Sequence, residues 1–149
     1  MPALGAPRAI TRLILGLLAA VQATDGFYAL LAPRSFYEDF PAGRGWVEAL
    51  PAYNEHLLRD VGALFLATAV VLAAAAIWLD RRLVLVALLS FLVFSVPHTT
   101  YHLLNLDGLS TGDAIAEAVS LVLTVFAPLG LLAAMLRPGG SAEPGGRPG

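Results

Sequence analysis

The chain has 149 residues, 58% of them hydrophobic and only 13% charged, whereas an ordinary soluble domain is charged at about a quarter of its positions. That deficit excludes a conventional soluble fold and predicts an integral membrane protein in contact with a lipid bilayer. Nine basic residues against eleven acidic ones leave no basic footprint for nucleic acid. The absence of cysteine removes disulfides, thiolate metal sites, iron–sulfur clusters and covalent haem attachment.

The first apolar run reads as a helix over residues 10–33, with Arg8 and Arg12 at its start and Pro33 as its stop. Residues 13–21, followed by Val21-Gln22-Ala23, also fit a secretory leader. The apolar character resumes through Phe27-Tyr28-Ala29-Leu30-Leu31, and the whole run meets the roughly 20 residues that a membrane crossing needs. Segment 34–53 carries Phe36, Tyr37, Phe40, Trp46 and Tyr53 among Pro41, Gly43, Gly45 and Pro51. Rings with polar tips favour the headgroup level, so this segment is expected to be an interfacial aromatic loop that covers the helix ends. Tyr28, Trp46, Tyr53, Arg59 and Glu117 are its candidate lid or substrate contacts.

A second helix is expected over 56–79, capped by Asn54, with Glu55, His56, Arg59 and Asp60 in or beside its first turns. Asp80-Arg81-Arg82 turns the chain into a third helix over 83–104, and Asn105-Leu106-Asp107-Gly108 stops it. The fourth helix, 112–136, opens at Ser110 or Thr111, places Asp113 and Glu117 early and should kink at Pro128. Residues 137–149 are rich in Pro and Gly and read as a disordered tail.

The expected fold is therefore all-α: one integral membrane domain, 1–136, built as a four-helix up-down bundle. Arg8, Arg12, Arg81, Arg82 and Arg137 fall on one side, while the turn at 105–112 has no basic residue. The arginine bias places both termini in the cytoplasm of a bacterial inner membrane.

In that topology the rare polar side chains gather at the outer end. Within Ser95-Val96-Pro97-His98-Thr99-Thr100-Tyr101-His102, the i,i+4 spacing sets His98 and His102 on one helix face, about 6 Å apart along the axis. Pro97 leaves the Val93 carbonyl free and should bend the helix there. His56 is expected at the same depth. The set predicts a divalent metal site of His56, His98, His102 and Asp60, with Asp25 as an alternative carboxylate, suited to Zn, Fe or Cu and also to Ni. Tyr101, Asp25 and Glu55 are the candidate catalytic groups. Thr99 faces about 100° away from His98 on an ideal helix and is expected to matter little.

Plainer readings stand beside this one. Asp60, Asp113 and Glu117 can serve as helix-dipole partners, Glu55 can pair with Arg59, and the histidines can be buried hydrogen-bonding groups without a metal. A bis-histidine haem would need His56 plus one of the other two, since His98 and His102 share a face. No phosphate-binding loop, serine-nucleophile motif or dinucleotide turn occurs.

Leu30-Leu31-Ala32-Pro33 at the close of the first helix and Leu58-Arg59-Asp60-Val61-Gly62 at the opening of the second resemble small bacterial DoxX-like and related four-helix membrane proteins. The resemblance covers the first three helices in outline. It implies a four-helix membrane bundle with a redox association, and it carries no histidine set. A looser likeness is to sterol-isomerase-type bundles, where acidic and histidine side chains in a membrane cavity handle a lipophilic substrate. The leading expectation is thus a His/carboxylate metal site that acts on or senses a lipophilic small molecule. The alternatives are a non-metal polar cavity for ligand binding or proton exchange, and a structural subunit, with homo-oligomerisation left open.

Overall fold

The computed structural model describes residue 4, residues 6–50 and residues 52–136. The tail 137–149, read from sequence as disordered, lies outside the described residues. Among those described there are five helices and no strand: α1 (Arg8–Leu31), α2 (Pro33–Asp39), α3 (Glu55–Trp78), α4 (Arg81–Leu103) and α5 (Thr111–Leu136). Four of them, α1, α3, α4 and α5, are long and apolar enough to cross a membrane.

Local chemistry sets the boundaries. The Asn54 side chain accepts from the Leu57 N–H at 3.0 Å and opens α3, and Asp80 accepts from the N–H groups of Arg82 and Leu83 to open α4. Ser110 Oγ accepts from the Asp113 N–H at 3.2 Å at the head of α5. Between α3 and α4, Leu79 adopts a left-handed conformation (φ 50°) that glycine usually supplies. Its side chain is buried in the core, and that burial holds a conformation costing on the order of 1–2 kcal/mol.

Pro33 ends one helix and starts another. The Ala32 N–H closes α1 on Tyr28 O, and Pro33 then takes the first helical position of α2, where a missing N–H costs nothing. Residues 34–39, six of those expected in the interfacial loop, are therefore helical. Pro97 and Pro128 both lie inside their helices, which continue through them.

α1 packs most extensively on α3, α4 packs on α5 and α3, and α1 touches α5 more lightly. The α1–α3 crossing is close because two glycines meet. A Cβ on Gly62 would come within 2.7 Å of the Leu30 nitrogen, and one on Gly26 within 2.9 Å of the Gly62 carbonyl oxygen. Small residues let helix backbones approach in this way where lipid offers no hydrophobic driving force. At one end of the molecule Leu15, Leu18, Leu72, Val84, Leu88, Phe91, Leu131 and Met135 make a continuous apolar core. Arg12 donates to Ala76 O and Arg81 to Met135 O there, which covers the open carbonyls at the ends of α3 and α5. On the outside, large apolar side chains such as Leu17, Leu64, Val70, Val93, Leu123 and Phe126 are exposed on all four long helices, as lipid contact requires.

Candidate functional site

At the end of the bundle opposite that core, the interior becomes polar. His102 lies in the last turn of α4 and Glu117 in the second turn of α5, and His102 Nδ1 sits 2.7 Å from Glu117 Oε1. Their side chains are 12% and 4% exposed. With Glu117 as carboxylate and His102 neutral, the Nδ1–H donates to Oε1 and Nε2 is left as an acceptor. Such a pair between two helices binds them only while both members are present.

The histidine belongs to a row. Its ring centroid is 4.4 Å from that of His98, which stacks on Phe94 at 4.8 Å and 26°. Phe94 in turn meets Phe65 of α3 edge-on at 5.0 Å. Phe65 and Phe94, with Val61, Leu64, Thr68 and Ser90, line a groove of about 400 Å³ between α3 and α4. An apolar groove thus leads by ring contacts to an ionisable pair. Thr99, expected to matter little, is buried and donates from Oγ1 to Leu121 O at 3.3 Å, so it adds a second polar tie between α4 and α5.

His56 stands elsewhere. Its side chain is 87% exposed, and Nε2 lies 3.2 Å from Asp60 Oδ2 on the same outward face of α3. Among the described residues no group of three His, Asp or Glu side chains comes together as metal ligands would. The expected set of His56, His98, His102 and Asp60 therefore falls into two parts, an exposed i,i+4 pair and a half-buried pair of imidazoles whose carboxylate is the buried Glu117.

The other candidates have definite places. Glu55 accepts from Arg59, and Arg59 also donates to the Leu30 carbonyl, so both tie the start of α3 to the end of α1. Tyr28 OH bonds Ser35 Oγ at 2.8 Å and joins α1 to α2. Tyr53 lies under the Arg34 guanidinium at 4.9 Å and against Tyr37. Tyr101 is 46% exposed, with its ring edge-on to His102. Asp25 is half-buried on α1.

Segment 40–50 is tied down. Trp46 Nε1 donates to Asp113 Oδ1 at 3.1 Å, Arg44 binds the same oxygen, and Ser110 Oγ donates to Oδ2 at 2.6 Å. Gly108 makes room for Ala49, since a Cβ there would lie 3.0 Å from the Ala49 methyl. Asp113 and Glu117, an i,i+4 pair in sequence, thus part company: one holds the loop and the other reaches into the bundle.

Sequence reasoning missed Gln22, Ser95 and Thr99, all buried polar residues on the inner faces of α1 and α4. Helical register carried the signal: Gln22 falls on the stripe Thr11, Leu15, Leu18, Gly26 and Ala29. No protein-family model, curated protein or solved structure matches this chain.

Proposed function

We propose that this chain is a small multi-pass protein of a bacterial inner membrane that binds a lipophilic small molecule and exchanges a proton at its polar end. The bundle runs up and down with both termini cytoplasmic, and the aromatic segment 34–53 covers the outer end. The observation that carries the reading is the His102–Glu117 pair, whose carboxylate is buried and whose imidazole is half-buried, linked through His98 and Phe94 to an apolar groove. A membrane-buried ionisable pair is expensive and is normally retained for function. An apolar recess with a few convergent polar groups is the usual form of a small-molecule site. His102 and Glu117 supply a proton donor and acceptor in one hydrogen bond, and His98 is the group between them and the groove.

The test uses the protein purified in mild detergent. Wild type should retain a lipid-soluble small molecule that organic extraction and mass spectrometry detect. Ser90→Trp, which fills the groove without touching a histidine, should lose it. Glu117→Gln should keep the molecule and abolish pH-dependent binding. The reading fails if Ser90→Trp retains as much as wild type. Stoichiometric zinc, iron or copper lost on replacing any one of the three histidines would restore the metal alternative instead.

A further inference from the structure

The apolar core ends at Leu18 and Ala19 on α1 and at Phe91 on α4. One turn further along, the next interior residues are Gln22 and Ser95, at 6% and 1% exposure. Gln22 Oε1 and Ser95 Oγ are both buried without a hydrogen-bond partner among the described residues. Buried polar atoms are almost always satisfied, and inside a membrane no bulk water is at hand to satisfy them.

The two stand at one depth. Gln22 lies fourteen residues after Arg8, and Ser95 fourteen after Arg81, so each is about 21 Å from the start of its helix. Those starts lie at the same end, because Leu15 and Leu18 of α1 share one apolar cluster with Val84, Leu88 and Phe91 of α4. The two helix backbones do not approach each other closely, and α3 and α5 each pack on both. Gln22 and Ser95 are thus interior residues at one depth on α1 and α4, a turn deeper than His98.

The chemistry narrows what fits. Gln22 Oε1 only accepts, so its partner must donate. Ser95 Oγ can accept as well as donate, but its O–H is left unsatisfied unless the partner also accepts. A carbonyl cannot donate to Gln22 Oε1 and a cation leaves the Ser95 O–H unpaired, whereas a single hydroxyl oxygen satisfies both. We propose that Gln22 and Ser95 form a hydroxyl-binding site at the centre of the bundle. The hydroxyl donates to Gln22 Oε1 and accepts from Ser95 Oγ. Its source is an internal water or the hydroxyl of a lipophilic guest. The site rests on these two atoms and not on the roles given to His102 and Glu117.

Gln22 is the only glutamine in the chain, so a ¹³C label on the glutamine side-chain carbonyl reports this position alone. In nanodiscs, isotope-edited infrared spectroscopy should find that carbonyl at a hydrogen-bonded frequency in wild type. The band should move to the free-amide position in Ser95→Ala and stay in place in Ser95→Thr, which keeps the hydroxyl. The source is then read in wild-type protein stripped of co-purifying small molecules. Magnetisation transfer from water protons to the labelled carbon identifies water. A band that reverts to the free position on stripping, with no such transfer, identifies a guest hydroxyl. A free-amide band in the protein as purified, or a hydrogen-bonded band indifferent to Ser95→Ala, overturns the proposal.

Discussion

α1 and α3 meet backbone to backbone. At Gly62 a single added carbon would lie 2.7 Å from the Leu30 nitrogen, and no hydrogen bond crosses the middle of that interface. α4 and α5 meet less closely, and their contact at the outer end runs through His102 with Glu117 and Thr99 with Leu121 O. The first pair is held by shape and should tolerate no added volume. The second is held by polar chemistry and should depend on which atoms are present. In a membrane the first arrangement is the cheaper way to hold helices together, so the polar seam between α4 and α5 is where function is to be sought.

The largest effect should come from Gly62→Leu. The side chain has only backbone to displace, so the variant should lose at least about 3 kcal/mol, read as a fall in melting temperature in detergent. Gly16→Ala gives the contrast. A Cβ at Gly16 meets nothing within 4 Å, so this variant should match or exceed wild type by about 0.5–1 kcal/mol. If both glycines behave alike, close approach does not hold α1 to α3.

Removing one member of the polar seam should come next. Glu117→Ala leaves His102 buried beside no acceptor and should cost about 1–3 kcal/mol, whereas Glu117→Gln keeps a hydrogen bond and should cost clearly less. A double-mutant cycle with His102→Ala measures the coupling. Additive losses would mean that the 2.7 Å contact binds nothing.

Trp46→Phe and Asp113→Asn loosen the outer loop, and each should lower the melting temperature by less than Glu117→Ala does. The sharper readout is amide exchange, which should quicken across 40–50 and remain slow in α4 and α5. Exchange that is already fast in wild type would show that the Asp113 contacts do not hold the segment. The smallest effect belongs to His56→Ala. Its exposed pairing with Asp60 is worth about 0–0.5 kcal/mol, so melting should be unchanged within error.

The four long helices were legible because uninterrupted apolar stretches of that length have few other uses, and their ends fell within two residues of the expected ones. α2 was not, because a proline after an apolar run marks a helix stop and equally suits the first position of a new helix. In the site, the spacing of His98 and His102 was enough to put their rings together. His56 was placed by depth alone, and depth does not fix direction around a helix. His56 lies about 120° around α3 from Gly62, which faces α1, and so it turns outward. Asp113 and Glu117 share a helix face, but Asp113 is a turn nearer the loop, where Arg44 and Trp46 reach it. Those partners are some 70 positions away in sequence, and no local pattern announces them.

The central claim is that His98, His102 and Glu117 act as one unit to which His56 does not belong. The chain has three histidines, so selective ¹⁵N-histidine labelling resolves every imidazole in a single spectrum of the protein in nanodiscs. On Glu117→Gln, the ring nitrogens of His102 should shift strongly and those of His98 less, while His56 stays where it is. A spectrum in which His102 ignores the loss of the Glu117 carboxylate, or in which one equivalent of zinc moves all three histidines together in wild type, would contradict the account.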